Sequence, residues 1–486
     1  MPANFAPSAD DLIRFSPEII LTIAGTLLML LDPFFAKRMP KLFGHLSIAA
    51  FILAIFGALA ANAVPGHAYS NLLVVDGFAT FFRLLVLSIG ILSVLSSYMY
   101  LEREAAETSE YHALMLFSVA GQCLMAASND LIMIFIGLEI SSIASYVLTG
   151  YLRNDKRNNE AALKYFLLGS FATGFFLYGV AIVYGLTATT QLDQIRAALS
   201  GPGVSMPMVA VAAALMIVGL GFKVSGAPFQ MWAPDVYQGA PAPVSAFMAT
   251  GPKAAAFAIF VRIFMTAFQQ ISSDWEPLIW MSALLSMTIG NFAALTQNNL
   301  KRMLAYSSIA HAGYILVALA ARSELGTAAV MFYLAAYALM NIGAFAVVIH
   351  IAGRNERHLR IEDLAGLSRK QPMTAALLTV FLLSFIGVPL TGGFFGKFYI
   401  FRAALDSNLV WLTVLGLLNS AVAAYYYLRL LVVMYMHEPG EVTDGLQPLG
   451  AGLSLALLLP AIGTFFLGIV PGAVLNFARG AAMLTR

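Results

Sequence analysis

The sequence predicts an all-helical integral membrane protein, and three observations carry that prediction. Of its 486 residues, 60% are apolar and only 11% are charged, whereas a soluble globular chain carries about 25% charged residues. Runs of roughly 20 residues almost free of charge recur from end to end, each long enough to cross a hydrocarbon core of about 30 Å as a helix. Finally, segments in the two halves of the chain match at one fixed spacing. Together these define the expected fold class: fourteen transmembrane helices, with two inverted five-helix repeats (spans 4–8 and 9–13) and broken helices 7 and 12.

The spans run over residues 17–35, 42–63, 76–100, 111–128, 130–151, 160–185, 206–231, 241–269, 275–296, 302–321, 326–352, 373–402, 409–436 and 450–478. Trp232, Trp275, Trp280 and Trp411 all fall near span ends, where indole rings favour the headgroup layer. The start, "MPANFAPSADDLIRFSPE", is acidic and the first apolar run is of spanning length, so the first span is expected to be retained. The single cysteine, Cys123, excludes an internal disulfide, and no CxxC, HExxH or CxxCH occurs. Haem, iron–sulfur and zinc sites therefore have no evident ligand set, and any redox chemistry is expected in another chain.

Basic residues divide unevenly between the two sides. Loops after odd-numbered spans carry fourteen, from Lys37, Arg38 and Lys41 to Arg369 and Lys370; the opposite side, termini included, carries Arg14, Arg196, Arg322, Arg402, Arg479 and Arg486. The positive-inside rule then puts both termini outside, in a bacterium the periplasm.

The spacing is 166 residues. "SSIA" at 141–144 recurs at 307–310, and "SGAPFQMW" from 225 lines up with "TGGFFGKF" from 391. "AALKYFLLGSFATG" from 161 lines up loosely with "AAVMFYLAAYALMN" from 328, one residue off that offset. Agreement among weak matches implies duplicated units at 111–271 and 272–437, between an N-terminal three-helix segment, 1–110, and a C-terminal helix, 438–486. Five helices per unit is an odd number, so consecutive copies insert in opposite senses, the inverted-repeat plan of many transporters. "SGAP" at 225–228 and "GVPLTGG" at 387–393 sit in the third helix of each unit; proline and glycine there predict interrupted helices.

Five ionisable groups lie inside spans: Glu139, Lys164, Lys223, Lys253 and Lys397. Each costs about 2.5–3.5 kcal/mol at mid-bilayer on insertion scales, so something must compensate them. Lys164, a turn from its span start, has a structural alternative in pairing with Glu160 at i,i+4. Low dielectric and like charges weaken a buried lysine's hold on its proton, and a carboxylate strengthens it. Moving one against the other therefore switches proton affinity without metal or cofactor, with hydroxyls such as Ser141, Ser142 and Ser145 as bridges. His311, mid-span in "AYSSIAHAGYIL", is either a link in such a path or a packed, hydrogen-bonded core histidine. Arg262 and Arg429 remain charged and are expected to glue helices or pair with carboxylates.

The stretches "NDLIMIFIGLEISSIASYVLTGY", "GFKVSGAPFQMWAPDVYQGAP", "GPKAAAFAIFVRIF", "NNLKRMLAYSSIAHAGYILVAL" and "GVPLTGGFFGKFYIF" resemble the antiporter-like membrane subunits of respiratory complex I across nearly the whole chain. The resemblance implies a non-redox subunit of a proton-translocating NADH:quinone oxidoreductase in the bacterial inner membrane. Its partners would be neighbouring antiporter-like subunits, small membrane subunits and lipid. FMN, iron–sulfur clusters, NADH and quinone would be bound by other chains, and no cofactor, metal or nucleic acid by this one. It assigns the proton pathway to Glu139, Lys164, Lys223, Lys253 and Lys397. A lysine at position 397 and an end after the fourteenth span separate this chain from two other members, one with a glutamate there and one with a long lateral helix. A subunit of a multi-subunit Na+/H+ antiporter is the alternative, and a structural spacer of the membrane arm a third reading.

Overall fold

The computed structural model describes residues 7–35, 40–106 and 108–483. Lys37, Arg38 and Arg486, counted above among the loop charges, lie outside the described residues. The chain begins with α1 (Ala9–Arg14), α2 (Ser16–Phe35) and α3 (Pro40–Asn62). A hairpin of β1 (Gly66–Ala68) and β2 (Leu73–Val75), antiparallel with Gly66 opposite Val75, leads into α4 (Gly77–Glu104). Then follow α5 (Ser109–Ala127), α6 (Leu131–Thr149), α7 (Lys156–Thr187), the short α8 (Leu192–Leu199), α9 (Met206–Val224) and α10 (Ala233–Gly239). The second half holds α11 (Ala242–Arg262), α12 (Ser272–Leu295), α13 (Leu300–Ala320), α14 (Glu324–Ile351), α15 (Leu367–Lys370), α16 (Pro372–Ile386) and α17 (Gly392–Asp406). It closes with α18 (Val410–Met436), α19 (Glu441–Asp444), α20 (Ala451–Ile469) and α21 (Pro471–Met483).

Polar caps set many of these starts. The Asp76, Asp130 and Asp155 carboxylates, the Asn299 amide oxygen and the Ser323 hydroxyl accept backbone N–H groups at the beginnings of α4, α6, α7, α13 and α14. Each satisfies donors that a helix leaves open at its first turn.

Among the described residues, twelve helices are long and apolar enough to cross a membrane. The expected span 111–128 is the 19-residue α5, outside that set; Ser109, Glu110, His112, Ser118 and Gln122 reduce its apolar character, and most of it is buried in the bundle. The expected span 373–402 is divided between two 15-residue helices, α16 and α17. Span 206–231 stops at Val224, and span 450–478 stops at Ile469, with Pro471 opening a new helix where its missing N–H costs nothing.

The interior is built around α11, α13 and α14, whose residues are buried almost throughout. The apolar side chains of α2, α3, α18 and α20 face outward, among them Leu30, Phe56, Leu418 and Ile462; a surface of this kind suits lipid, not water. Trp411 is exposed at the start of α18, but Trp232 and Trp275 are buried, against the headgroup placement expected of them, because their indole N–H groups donate to the Phe222 and Phe268 carbonyls (both 2.9 Å). Buried ion pairs bind the helices together. Arg262 meets Asp76 through two bonds of 2.8 and 3.0 Å and donates to the Ala126 carbonyl, and Arg83 meets Glu18 at 2.7 Å. Arg429 finds no carboxylate; it donates to the Asn298 side chain at 2.7 Å and the Gln297 carbonyl at 3.3 Å.

Candidate functional site

Two interruptions in the helices organise the charged interior. The first spans Ser225 to Trp232, between α9 and α10. Ser225 adopts a left-handed conformation (φ 59°), and the chain turns back with Gly226 N–H donating to the Gly221 carbonyl at 2.8 Å. The exposed backbone finds partners on α12: Ala227 N–H donates to Ser286 Oγ (2.7 Å), and Ser282 Oγ donates to the Ala227 carbonyl (2.6 Å). The Trp232 ring stacks on Tyr165 at 4.5 Å and Phe222 at 5.0 Å. Backbone needs are thus met without the local lysine.

Lys223 consequently turns away from its own break. Its Nζ donates to Ser142 Oγ (2.6 Å) and Tyr146 OH (3.1 Å) on α6 and lies 5.1 Å from the Tyr146 ring centroid. Glu139 precedes Ser142 by three residues and Tyr146 by seven, so all three share one helical stripe. Glu139 and Lys223 are not directly hydrogen-bonded: the lysine takes the two hydroxyls, and Glu139 Oε1 is buried with no hydrogen-bond partner among the described residues.

The second interruption spans Gly387 to Thr391, between α16 and α17. Gly387 has φ +94°, a conformation that L side chains rarely adopt, and a Cβ at Gly393 would stand 1.8 Å from the Ser384 carbonyl oxygen. Here the lysine serves the break itself. Lys397 Nζ donates to the Phe385 and Ile386 carbonyls (2.9 and 3.0 Å) at the end of α16 and to Ser420 Oγ (2.7 Å) on α18. It lies 4.8 Å from the Tyr314 ring centroid. A cation on carbonyls that have lost their helical partners meets both the hydrogen-bonding need and the negative helix end.

Lys253, next to Pro252 in α11, is buried, and it forms no ion pair with a carboxylate among the described residues. Its Nζ donates to the Ser308 carbonyl at 2.9 Å and to the Ser308 hydroxyl, and Tyr337 lies 5.8 Å away. Ser142 and Ser308 are the second serines of the two "SSIA" tetrads, 166 residues apart, and each holds a lysine. Between Lys223 and Lys253, the Tyr237 hydroxyl faces Ser225 and Ser308 without a well-formed bond to either, and Ser225 Oγ is also buried without a partner.

His311, on the same helix as Ser308, is buried and bonded on both ring nitrogens: Nδ1 with Tyr333 OH (2.6 Å) and Nε2 with Tyr427 OH (3.1 Å). Tyr427 in turn meets Ser307. Tyr314, 5.7 Å from the His311 ring, faces Ser420, the serine that holds Lys397. Hydroxyls and one imidazole thus cluster between Lys253 and Lys397 in separate bonded groups.

Lys164 departs from the row. Its side chain is 42% exposed and pairs with Glu160 (2.7 Å) and Asp235 (2.9 Å), and Asp235 is shared with Arg302 (2.7 Å). Glu160, Lys164 and Asp235 line a charged basin of about 390 Å³ with Arg157, Glu356 and Arg360. Lys164, two turns into α7, thus sits at the edge of this basin, its long stem carrying the ammonium to charged partners. Lys301, counted above as a loop charge, is fully buried against Glu356 at 2.7 Å, and Glu356 also accepts the Ala242 N–H. Tyr146, Tyr237, Ser308, Tyr333, Tyr427, Ser420 and Asp235 carry polar contacts that the sequence reading passed over. Ser308 was available from the repeat, and Tyr146 from its position on the Glu139 stripe.

Comparison with known proteins converges on one family. A family model described as NADH:quinone oxidoreductase/Mrp antiporter, TM, matches residues 128–423. NADH-quinone oxidoreductase subunit N 1 of Solibacter usitatus is 66% identical, with 99% of both chains covered, and subunit N 2 of Koribacter versatilis is 48% identical, covering 99% and 98%. A chain of respiratory complex I from Thermus thermophilus superposes with a TM-score of 0.79 at 35% identity, covering 95% of this chain and 98% of that one. A chain of the Mrp complex from Dietzia sp. reaches 0.84 at 22% identity and shares the fold. With near-complete coverage of both chains, a shared family model and two-thirds identity to a named relative, the chain belongs to the NADH-quinone oxidoreductase subunit N family.

Proposed function

We propose that this chain is a proton-translocating subunit in the membrane arm of NADH:quinone oxidoreductase. Electron transfer from NADH to quinone, with its FMN and iron–sulfur clusters, occurs in other subunits, and this chain moves H+ across the bacterial inner membrane without a redox centre of its own. The observation that carries the reading is the row Lys223, Lys253 and Lys397, each held by a serine hydroxyl, with His311 and its tyrosines between the last two, and none ion-paired with a carboxylate among the described residues. Such lysines have no fixed counter-ion to hold their charge, so each is free to take and give a proton.

In this scheme Glu139 acts on Lys223 across one helical turn through Ser142 and Tyr146. Lys253 and His311 relay the proton, and Lys397 exchanges it at the far break. Lys164 governs access from the basic-loop basin instead of carrying the proton along the midplane. In support of fourteen crossings and inverted units at 111–271 and 272–437, flanked by 1–110 and 438–486, the two breaks recur in the third helix of each unit, and tetrad serines 166 residues apart hold lysines. Both termini then face the periplasm, with the basic loops in the cytoplasm.

Replacing Lys223 or Glu139 with alanine is expected to lower quinone reductase activity and pumping together in a fully assembled complex. Normal coupled turnover in both variants would sink the scheme. The Na+/H+ antiporter alternative rests on the shared family model and the shared fold, and purification in mild detergent separates the two: co-isolation with flavin and iron–sulfur subunits supports the redox pump.

A further inference from the structure

We infer that the Tyr237 hydroxyl is the relay that carries a proton across the gap between the first break and Lys253, receiving it on the Ser225 side and passing it to Ser308. The inference rests on the proton-translocating reading above and names a step that reading leaves open.

The two ends of the gap are on different helices. Lys223 is bonded to Ser142 and Tyr146 on α6, and Lys253 to Ser308 on α13. Among the described residues, no hydrogen bond joins one group to the other. Between them lies α10, packed against α7 and α13. Its Tyr237 is fully buried, and the hydroxyl faces Ser225 of the break and Ser308. The rest of the residue is fixed. The ring meets Trp232 edge-on at 5.8 Å, the carbonyl accepts Ser245 Oγ at 2.8 Å, and two residues earlier Asp235 ties α10 to Lys164 and Arg302. The hydroxyl itself has no bonded partner among the described residues, and neither has Ser225 Oγ, which is also fully buried.

A buried hydroxyl without a partner is destabilising, and phenylalanine would fill the same ring site without that penalty. Here two such hydroxyls face each other in the interval between two lysines. The other hydroxyls beside the row are committed: Ser142, Ser308 and Ser420 each hold a lysine, and Tyr333 and Tyr427 hold His311. A hydroxyl both donates and accepts, and its O–H turns about a single bond. Tyr237 therefore accepts from one serine while donating to the other. In the step, Lys223 leaves Ser142 and Tyr146 and gives a proton to Ser225 Oγ. Ser225 gives its own to Tyr237, Tyr237 its own to Ser308, and Ser308 its own to a neutral Lys253 Nζ. Each O–H bond broken is matched by one formed, and the net change is one proton moved from lysine to lysine. The hydroxyls then turn back to their starting orientation.

The test uses the intact complex in sealed vesicles. Tyr237→Phe removes the oxygen and keeps the ring. Assembly and melting temperature are expected to match wild type, because the hydroxyl has no bond to lose. NADH-driven proton uptake is expected to fall at least about tenfold, with a larger H2O/D2O rate ratio than wild type. Ser225→Gly removes the second hydroxyl and suits the left-handed backbone there (φ 59°). It is expected to slow uptake too, and the double variant to be no slower than Tyr237→Phe, as for groups acting in series. Normal uptake in Tyr237→Phe overturns the relay where Lys223→Ala in the same preparation has lost pumping; normal uptake in both overturns the scheme on which the relay rests. Slower uptake with an unchanged isotope ratio makes Tyr237 a packing residue and overturns the relay equally. If Tyr237→Phe does not assemble, Ser225→Gly decides, and normal uptake there is the overturning result.

Discussion

The two helix breaks solve one problem in opposite ways. At the first, backbone groups freed between Val224 and Ala233 are met by the Trp232 indole and by Ser282 and Ser286. At the second, the Phe385 and Ile386 carbonyls are met by Lys397 itself. One lysine is therefore released to bond another helix, while the other is built into the structure that surrounds it. A charged side chain near a break is thus not one kind of device: Lys223 can leave its partners at the cost of two hydroxyl contacts, whereas Lys397 must leave two carbonyls.

The sharpest way to break this contrast is Lys397→Ala. It uncovers two carbonyls, and a loss of about 2–3 kcal/mol is expected together with loss of pumping, read by thermal melting of the complex and by proton uptake in vesicles. A melting point equal to wild type would show that the carbonyls find other partners. Lys223→Arg comes next. Arginine keeps the charge but does not release a proton, so proton transfer should fall on the order of 10²-fold with the melting point unchanged. Trp232→Phe retains the stacking on Tyr165 but removes the donor to Phe222; it should cost about 1 kcal/mol and leave most pumping intact. The smallest effect is expected of Lys164→Met, whose half-exposed pairs contribute about 0–1 kcal/mol. Pumping assays should find it much less impaired than Lys223→Arg.

Much of this site was legible because charge in an apolar run is conspicuous. Lys223, Lys253, Lys397 and Glu139 announce themselves, and "SGAP" and "GVPLTGG" mark the two interruptions. The partners were harder to see. Tyr333 and Tyr427 sit in strongly apolar helices where an aromatic ring looks like packing, Tyr237 sits in the short α10, and only the adjacency of α10, α13, α14 and α18 turns their hydroxyls toward the buried polar groups. Which lysine caps its own break was also beyond the sequence, because the choice depends on Trp232 and on the serines of α12. Lys164 was the ambiguous case, and Glu160 one turn before it was the clue to its surface position.

Gly393 has a mechanical consequence. With the Ser384 carbonyl pressed against its Cα, Gly393 N–H bonded to Ser384 Oγ at 3.1 Å and Lys397 spanning the same corner, α16 and α17 are clamped as one elbow. An elbow held at three points does not swing like a hinged gate, whose domain-scale motions take microseconds to milliseconds. Opening and closing at this end of the path then falls to the lysine side chain and nearby hydroxyls, small parts that reorient far faster than a helix pivots.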